Sequence, residues 1–149
     1  MSLDLNVKKL TETAILPTYA NEFAAGLDFY IDGQVNELFC IGPNEVGMIG
    51  TGIAIEIPEG YYGMLVIRSG IAAKKNLTLA NGVGIIDSDY RGEVKLLLKN
   101  NSKYDQYVTA GERLAQLILM PFERAEIIEV ENLSKTVRAE AGFGSTGNF

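Results

Sequence analysis

Residues 81–94, Asn-Gly-Val-Gly-Ile-Ile-Asp-Ser-Asp-Tyr-Arg-Gly-Glu-Val, concentrate the side chains in this sequence best suited to chemistry. A short apolar run, 83–86, is interrupted by Gly82 and Gly84 and followed at once by Asp87, Asp89, Tyr90 and Arg91. Glycine beside a strand lets a ligand approach the backbone. An acid at the end of an apolar strand is well placed to hold a water or a metal. Taken alone, the stretch is equally a tight turn in which Asp and Gly supply only geometry. The chain has no histidine, which removes the commonest general base, Ser-His triads and His-ligated zinc. Acid–base chemistry therefore falls to carboxylates, tyrosine or lysine.

The rest of the composition narrows the class. At 149 residues with 47% hydrophobic content, the chain is long enough for one domain with a real core. Net charge is −6 and no Lys/Arg run exceeds a pair, so a nucleic-acid polymer is not expected as a partner. No apolar stretch reaches the ~18 residues of a membrane span, and the first ten residues do not resemble a signal or transit peptide. The single cysteine, Cys40, cannot form an internal disulfide. It lies in the apolar run 38–41 and is expected in the core. A cytoplasmic location follows, or host cytoplasm or nucleus for a viral source.

The elements that must position these groups are mostly short strands. Leu3, Leu5 and Val7 alternate with polar residues, the period of a half-buried strand. Strands are predicted over 24–31, 35–41, 46–49, 53–57, 61–67, 94–99 and 114–122, a last regular element over 125–130, and 100–106 is a polar loop. Residues 77–79 and 83–86 are predicted to form a hairpin around 80–82. Residues 69–75, opening on a capping-type Ser69 and closing on two lysines, form the predicted helix. Strands at roughly ten-residue spacing with Gly/Pro turns indicate an all-β antiparallel jelly-roll-like sandwich or barrel. Residues 1–137 are expected to form the sandwich, and 138–149, with three glycines among Phe, Ser and Thr, a flexible arm.

Five stretches line up in order: 25–28 (Ala-Gly-Leu-Asp); 60–63 through Arg68-Ser-Gly70; 82–93; 111–116 (Gly-Glu-Arg-Leu-Ala-Gln); and 142–147 (Gly-Phe-Gly-Ser-Thr-Gly). In this order and spacing they resemble the motif set of the homotrimeric deoxyuridine triphosphate nucleotidohydrolases (dUTPases), from about Leu3 to Gly147. The resemblance implies hydrolysis of dUTP to dUMP and pyrophosphate, limiting uracil in DNA and supplying dUMP. Asp87 would orient and deprotonate the attacking water, Asn81 would read the uracil edge, and Tyr90 would lie under the deoxyribose and exclude a 2′-hydroxyl. Arg68, Ser69 and Gln116 would contact phosphate, and Gly70, Gly84, Ile85, Ile86 and Lys95 would complete the substrate contacts. Ser69 is also a plausible helix cap, which is compatible with anion binding. Arg113 and Glu112 are taken as structural; Asp89 supports the turn or pairs with Arg91.

The same resemblance implies Mg2+ held mainly by the triphosphate, with Asp28 structural or supporting from behind the metal and direct ligation the lesser option. In the arm, Phe143 would stack over uracil, Arg138, Ser145 and Thr146 would make the γ-phosphate and arm contacts, and Gly144 would join the substrate contacts. That arm would reach another subunit, so each site would draw on three chains. Leu27, Met64 and Ile67 depart from the family pattern at apolar strand positions. Ala139 and Ala141 replace usual arm glycines, and negative φ is expected at both in the closed arm. A dCTP deaminase, which shares the fold, is the nearest alternative; a catalytically silent β-domain that binds protein partners is another.

Overall fold

The computed structural model describes residues 3–140. Eleven strands and one helix follow in order: β1 (Asn6–Lys9), β2 (Thr18–Tyr19), β3 (Leu27–Tyr30), β4 (Leu38–Ile41), β5 (Val46–Glu56), β6 (Tyr61–Ile67), α1 (Ser69–Lys75), β7 (Leu77–Leu79), β8 (Gly84–Ile86), β9 (Glu93–Asn100), β10 (Gln106–Thr109) and β11 (Arg113–Pro121). They form a four-stranded sheet β1-β5-β9-β7, a five-stranded sheet β2-β3-β11-β6-β8 and a two-stranded sheet β10-β4. Every pairing is antiparallel. The all-β antiparallel sandwich is thus observed.

Alternation explains which faces meet. Along β9, Val94, Leu96, Leu98 and Asn100 are buried while Lys95 and Lys99 are exposed, as a period of two requires. Leu27, Phe29, Leu65, Leu114 and Leu117 of the five-stranded sheet join Ile53, Ile55, Leu77, Val94 and Leu96 of the four-stranded sheet in one core. Ile41 and Val108 extend it to the two-stranded sheet. Truncating a fully buried leucine such as Leu96 would cost about 2–5 kcal/mol.

Two irregularities bear on the site. The β11–β3 register slips between Arg113 and Ala115, a bulge that buries both Leu114 and Ala115 and turns Gln116 away from the core. On β5 the register with β9 slips between Gly50 and Ala54. There Gly52 takes φ +63, and a Cβ would overlap Thr11, Ala14 and Asp32. The predicted strands 46–49 and 53–57 are consequently one bent strand.

Several other expectations fail for identifiable reasons. Residues 77–79 and 83–86 do not form a hairpin: β7 pairs with β9, and β8 with β6, so 80–83 carries the chain from one sheet to the other. Strand β4 starts at Leu38 because residues 34–37 turn first, with Asn36 at φ +65 and the Glu37 N–H donating to the Gln34 carbonyl. Strand β10 lies where the sequence shows only a polar loop and its exit. Residues 125–130 form no regular element and leave Ile127 96% exposed, since no strand of the described chain pairs with them. Cys40 is exposed rather than buried, because only Phe39 and Ile41 of β4 turn inward. Helix α1 is capped by Arg68, not Ser69, with no side-chain cap bond, and ends at Asn76 in the left-handed conformation.

Candidate active site

The crossing 80–83, strand β8, the outer face of β9 and the loop through Tyr90 enclose a cavity of about 310 Å3. That is at the small end of the ~300–1,000 Å3 typical of ligand pockets. Asn81, Gly84, Ile85, Ile86, Asp87, Tyr90 and Lys95 all line it. The Asp87 carboxylate and the Asn81 amide make no hydrogen bond or ion pair among the described residues, so both are available to a ligand. Asp87 sits just past the end of β8 and also borders a smaller hollow of about 230 Å3 with Tyr62 and Phe122.

The loop beyond Asp87 is braced from outside. Arg91 donates to the Ser88 carbonyl at 2.6 Å and the Tyr90 carbonyl at 3.0 Å, and pairs with Glu56 at 3.1 Å. It therefore does not pair with Asp89. The Asn6 amide, and secondarily the Arg91 charge, hold the Glu56 carboxyl below its ordinary range. Tyr90 donates its hydroxyl to the Glu93 carbonyl at 3.0 Å. Lys95 lies 3.5 Å from the Glu93 carboxylate.

A second group gathers on β3, β11 and the start of α1. Asp28 is 3% exposed; one oxygen forms an ion pair with the Arg68 Nε at 3.2 Å and the other accepts a hydrogen bond from the Arg113 guanidinium at 3.1 Å. Gln116 is the direct cross-strand partner of Asp28. Its amide occupies space that only a glycine at 26 leaves open, for a Cβ there would overlap it. Ser69 and Gly70 are exposed beside this group. Arg68, Ser69, Gly70 and Gln116 do not line the Asn81–Asp87 cavity.

Arg138 is exposed and likewise not a lining residue. In this structure Ala139 takes φ +47, with its N–H near the Thr136 carbonyl and hydroxyl, whereas negative φ is the expectation for that position in the closed arm. Ala141, Phe143, Gly144, Ser145 and Thr146 lie outside the described residues. Met48, Leu65, Leu79, Glu93, Val94 and Leu97 also line the cavity and were not foreseen. Glu93, Lys95 and Leu97 share one face of β9 by simple alternation, and Met48 is the cross-strand neighbour of Leu97. That periodicity was the available signal.

An all-β domain with an unpaired carboxylate in a nucleoside-sized cavity and a separate arginine–glutamine cluster has the makings of a nucleotide hydrolase. The dUTPase family model matches residues 12–147. Over 145 residues the chain is 46% identical to the deoxyuridine 5′-triphosphate nucleotidohydrolase of Hydrogenobaculum sp. (strain Y04AAS1), covering 97% of this chain and 99% of that one. It is 45% identical over 152 residues to that of Caldanaerobacter subterraneus subsp. tengcongensis, covering 99% of each. A mutant dUTPase of Staphylococcus bacteriophage 80alpha, bound to dUpNHpp, superposes with a TM-score of 0.88 at 30% identity over 98% of this chain and 99% of that one. A mutant dUTPase from phage phi11 of S. aureus, with a structural Mg(II) ion, gives 0.80 at 28% identity, over 89% and 100%.

The chain belongs to the dUTPase family. It is an enzyme that hydrolyses dUTP. Among the described residues no helix is long and apolar enough to cross a membrane.

Proposed function

We propose that dUTP lies with its base against the Asn81 crossing and its sugar against Tyr90, and that Asp87 removes the proton of a water attacking the α-phosphorus. Pyrophosphate then leaves in line with the attack. The single observation that carries this reading is the cavity in which Asn81, Tyr90 and an unpaired Asp87 meet. An amide offers both a donor and an acceptor to the uracil edge. The adjoining backbone at Gly84, Ile85 and Ile86 completes the recognition, and Lys95 supplies positive charge.

The donor set fits Mg2+ held by the substrate rather than by a protein cage. Asp28 already gives both oxygens to arginines, and no three potential ligands gather elsewhere among the described residues. Triphosphate oxygens and waters would be its ligands, and its charge would offset that of the phosphates. Asp28 thus acts by holding Arg68.

Arg68, Ser69 and Gln116 stand apart from the cavity, which supports a homotrimer whose sites join surfaces of neighbouring chains. The exposed apolar residues Ile127, Ile128, Val130 and Leu133 fit a segment that is covered on assembly. Arg138, Phe143, Gly144, Ser145 and Thr146 would then close the site from another subunit. Mixing inactive Asp87→Asn chains with inactive Gln116→Ala chains, after dissociation and reassociation, should restore pyrophosphate release from dUTP. Two variants that stay inactive in every mixture, although mixed oligomers form, would place both residues in a site built by one chain.

A further inference from the structure

We propose that Gly92 is a specificity-determining position, acting as the seat on which Tyr90 rests. The inference builds on the reading that the Tyr90 ring excludes a 2′-hydroxyl. In the structure the ring tip lies directly over the Gly92 Cα. The three atoms nearest to a Cβ built at Gly92 are the Tyr90 hydroxyl oxygen, Cζ and Cε2, all at overlapping or very tight distances. The backbone at Gly92 is not in the left-handed region, so alanine there is opposed by the ring and not by its own conformation. Gly60, Gly70 and Gly82 contrast with it, as a Cβ at each meets nothing within 4 Å.

The hydroxyl completes the seat. It donates to the Glu93 carbonyl at 3.0 Å, and Glu93 is itself fixed. Its carboxylate accepts the Gly52 N–H at 2.9 Å across the bend of β5 and lies against Gly50, where a Cβ would overlap it. Tyr90 is 46% exposed, so packing on its outer side does not hold it in place. Its position over the cavity depends on the bare Cα beneath and the carbonyl at its tip. A methyl group at 92 displaces the tip, breaks the hydroxyl bond and lets the ring swing out. dUTP then loses the surface under its sugar, and UTP gains the space the ring vacates.

The test measures kcat/KM for dUTP and UTP, with melting temperature, for the parent, Gly92→Ala, Tyr90→Ala and the double variant. Gly92→Ala should contract the dUTP:UTP ratio by about tenfold or more, the scale of one misplaced group in a discriminating pocket. In the Tyr90→Ala background the same substitution should change the ratio by less than about twofold, because the obstacle is gone. A parental ratio in Gly92→Ala, or a loss of equal size in both backgrounds, overturns the proposal. Folding lost with Tyr90 present and regained in the Tyr90→Ala background supports it, and folding lost in both overturns it. If Tyr90→Ala itself keeps the parental ratio, the reading of Tyr90 fails and the seat falls with it. If Tyr90→Ala collapses the ratio and Gly92→Ala does not, only the seat fails.

Discussion

Replacing Asp28 by asparagine removes one charge from a buried point where two guanidinium groups converge. The Arg113 contact at 3.1 Å is a charge-assisted hydrogen bond, worth about 1.5–3 kcal/mol, and the Arg68 contact at 3.2 Å is an ion pair. An asparagine oxygen can keep one of them, while its NH2 faces the other guanidinium donor to donor. Breaking a fully buried pair costs about 3–5 kcal/mol, but the Arg68 and Arg113 side chains are 33% and 40% exposed and can turn toward water. A loss of about 2–4 kcal/mol follows, a large share of the ~5–15 kcal/mol by which domains are stable. Denaturant unfolding at fixed protein concentration reads it directly, as a lower midpoint with an unchanged slope. Arg68 should lose its fixed direction at the same time, so kcat/KM for dUTP should fall by about tenfold or more. In an Arg68→Ala background the further catalytic loss should largely disappear. A variant within about 0.5 kcal/mol of the parent and equally active would refute the view that this carboxylate aligns Arg68.

Asp87→Asn should lower kcat about 10²–10⁴-fold while a non-hydrolysable dUTP analogue binds within a few-fold of the parent, as read by calorimetry. Gly26→Ala puts a methyl group into the space of the Gln116 amide. It should cost about 1–3 kcal/mol in an unfolding titration and lower kcat/KM, with little further catalytic loss in a Gln116→Ala background. Ala139 sits at φ +47, a conformation that costs an L-residue about 1–2 kcal/mol. The extra unfolded-state freedom of glycine returns only about 0.4–1 kcal/mol. If that conformation is the one used in turnover, Ala139→Gly should raise kcat/KM about twofold to fivefold, and a clear fall would show that the arm works in another conformation.

Local pattern revealed more than pairing did. The alternation of Val94, Leu96 and Leu98 foretold strand β9 and its inward face, and the Arg68–Asn76 stretch foretold the short helix. The partners of β7 and β8 were not legible. Two apolar runs flanking Asn81-Gly82 look alike whether they bond to each other or to strands far off in sequence, since pairing depends on where β6 and β9 lie. The same limit hid β10 and the bulge that turns Gln116 away from the core. The grouping of Asn81, Asp87, Tyr90 and Lys95 could be anticipated because one motif holds most of it. The two arginines on Asp28 could not, because Asp28, Arg68 and Arg113 are separated by 40 and 45 positions and no periodicity links them. Gly26 and Gly92 show why some glycines are needed where the backbone would admit any residue: in each case the reason is a side chain two or ninety positions away.

The crossing at 80–83 has a consequence for how the enzyme comes into being. Leu79 and Leu97 belong to one sheet, Leu65 and Ile86 to the other, and all four line the same cavity. Neither sheet owns the cavity; it exists only along the seam where the two have closed on each other. A collapsed chain with either sheet formed alone would have strands and an apolar interior but no place for a nucleoside. During refolding, ligand binding should therefore appear no earlier than the docking of the two sheets, however early β5 and β9 find one another. Dependence on such long-range contact is slow to satisfy. The capacity to recognise its substrate is in this sense a late property of the chain, acquired in the step that completes the fold.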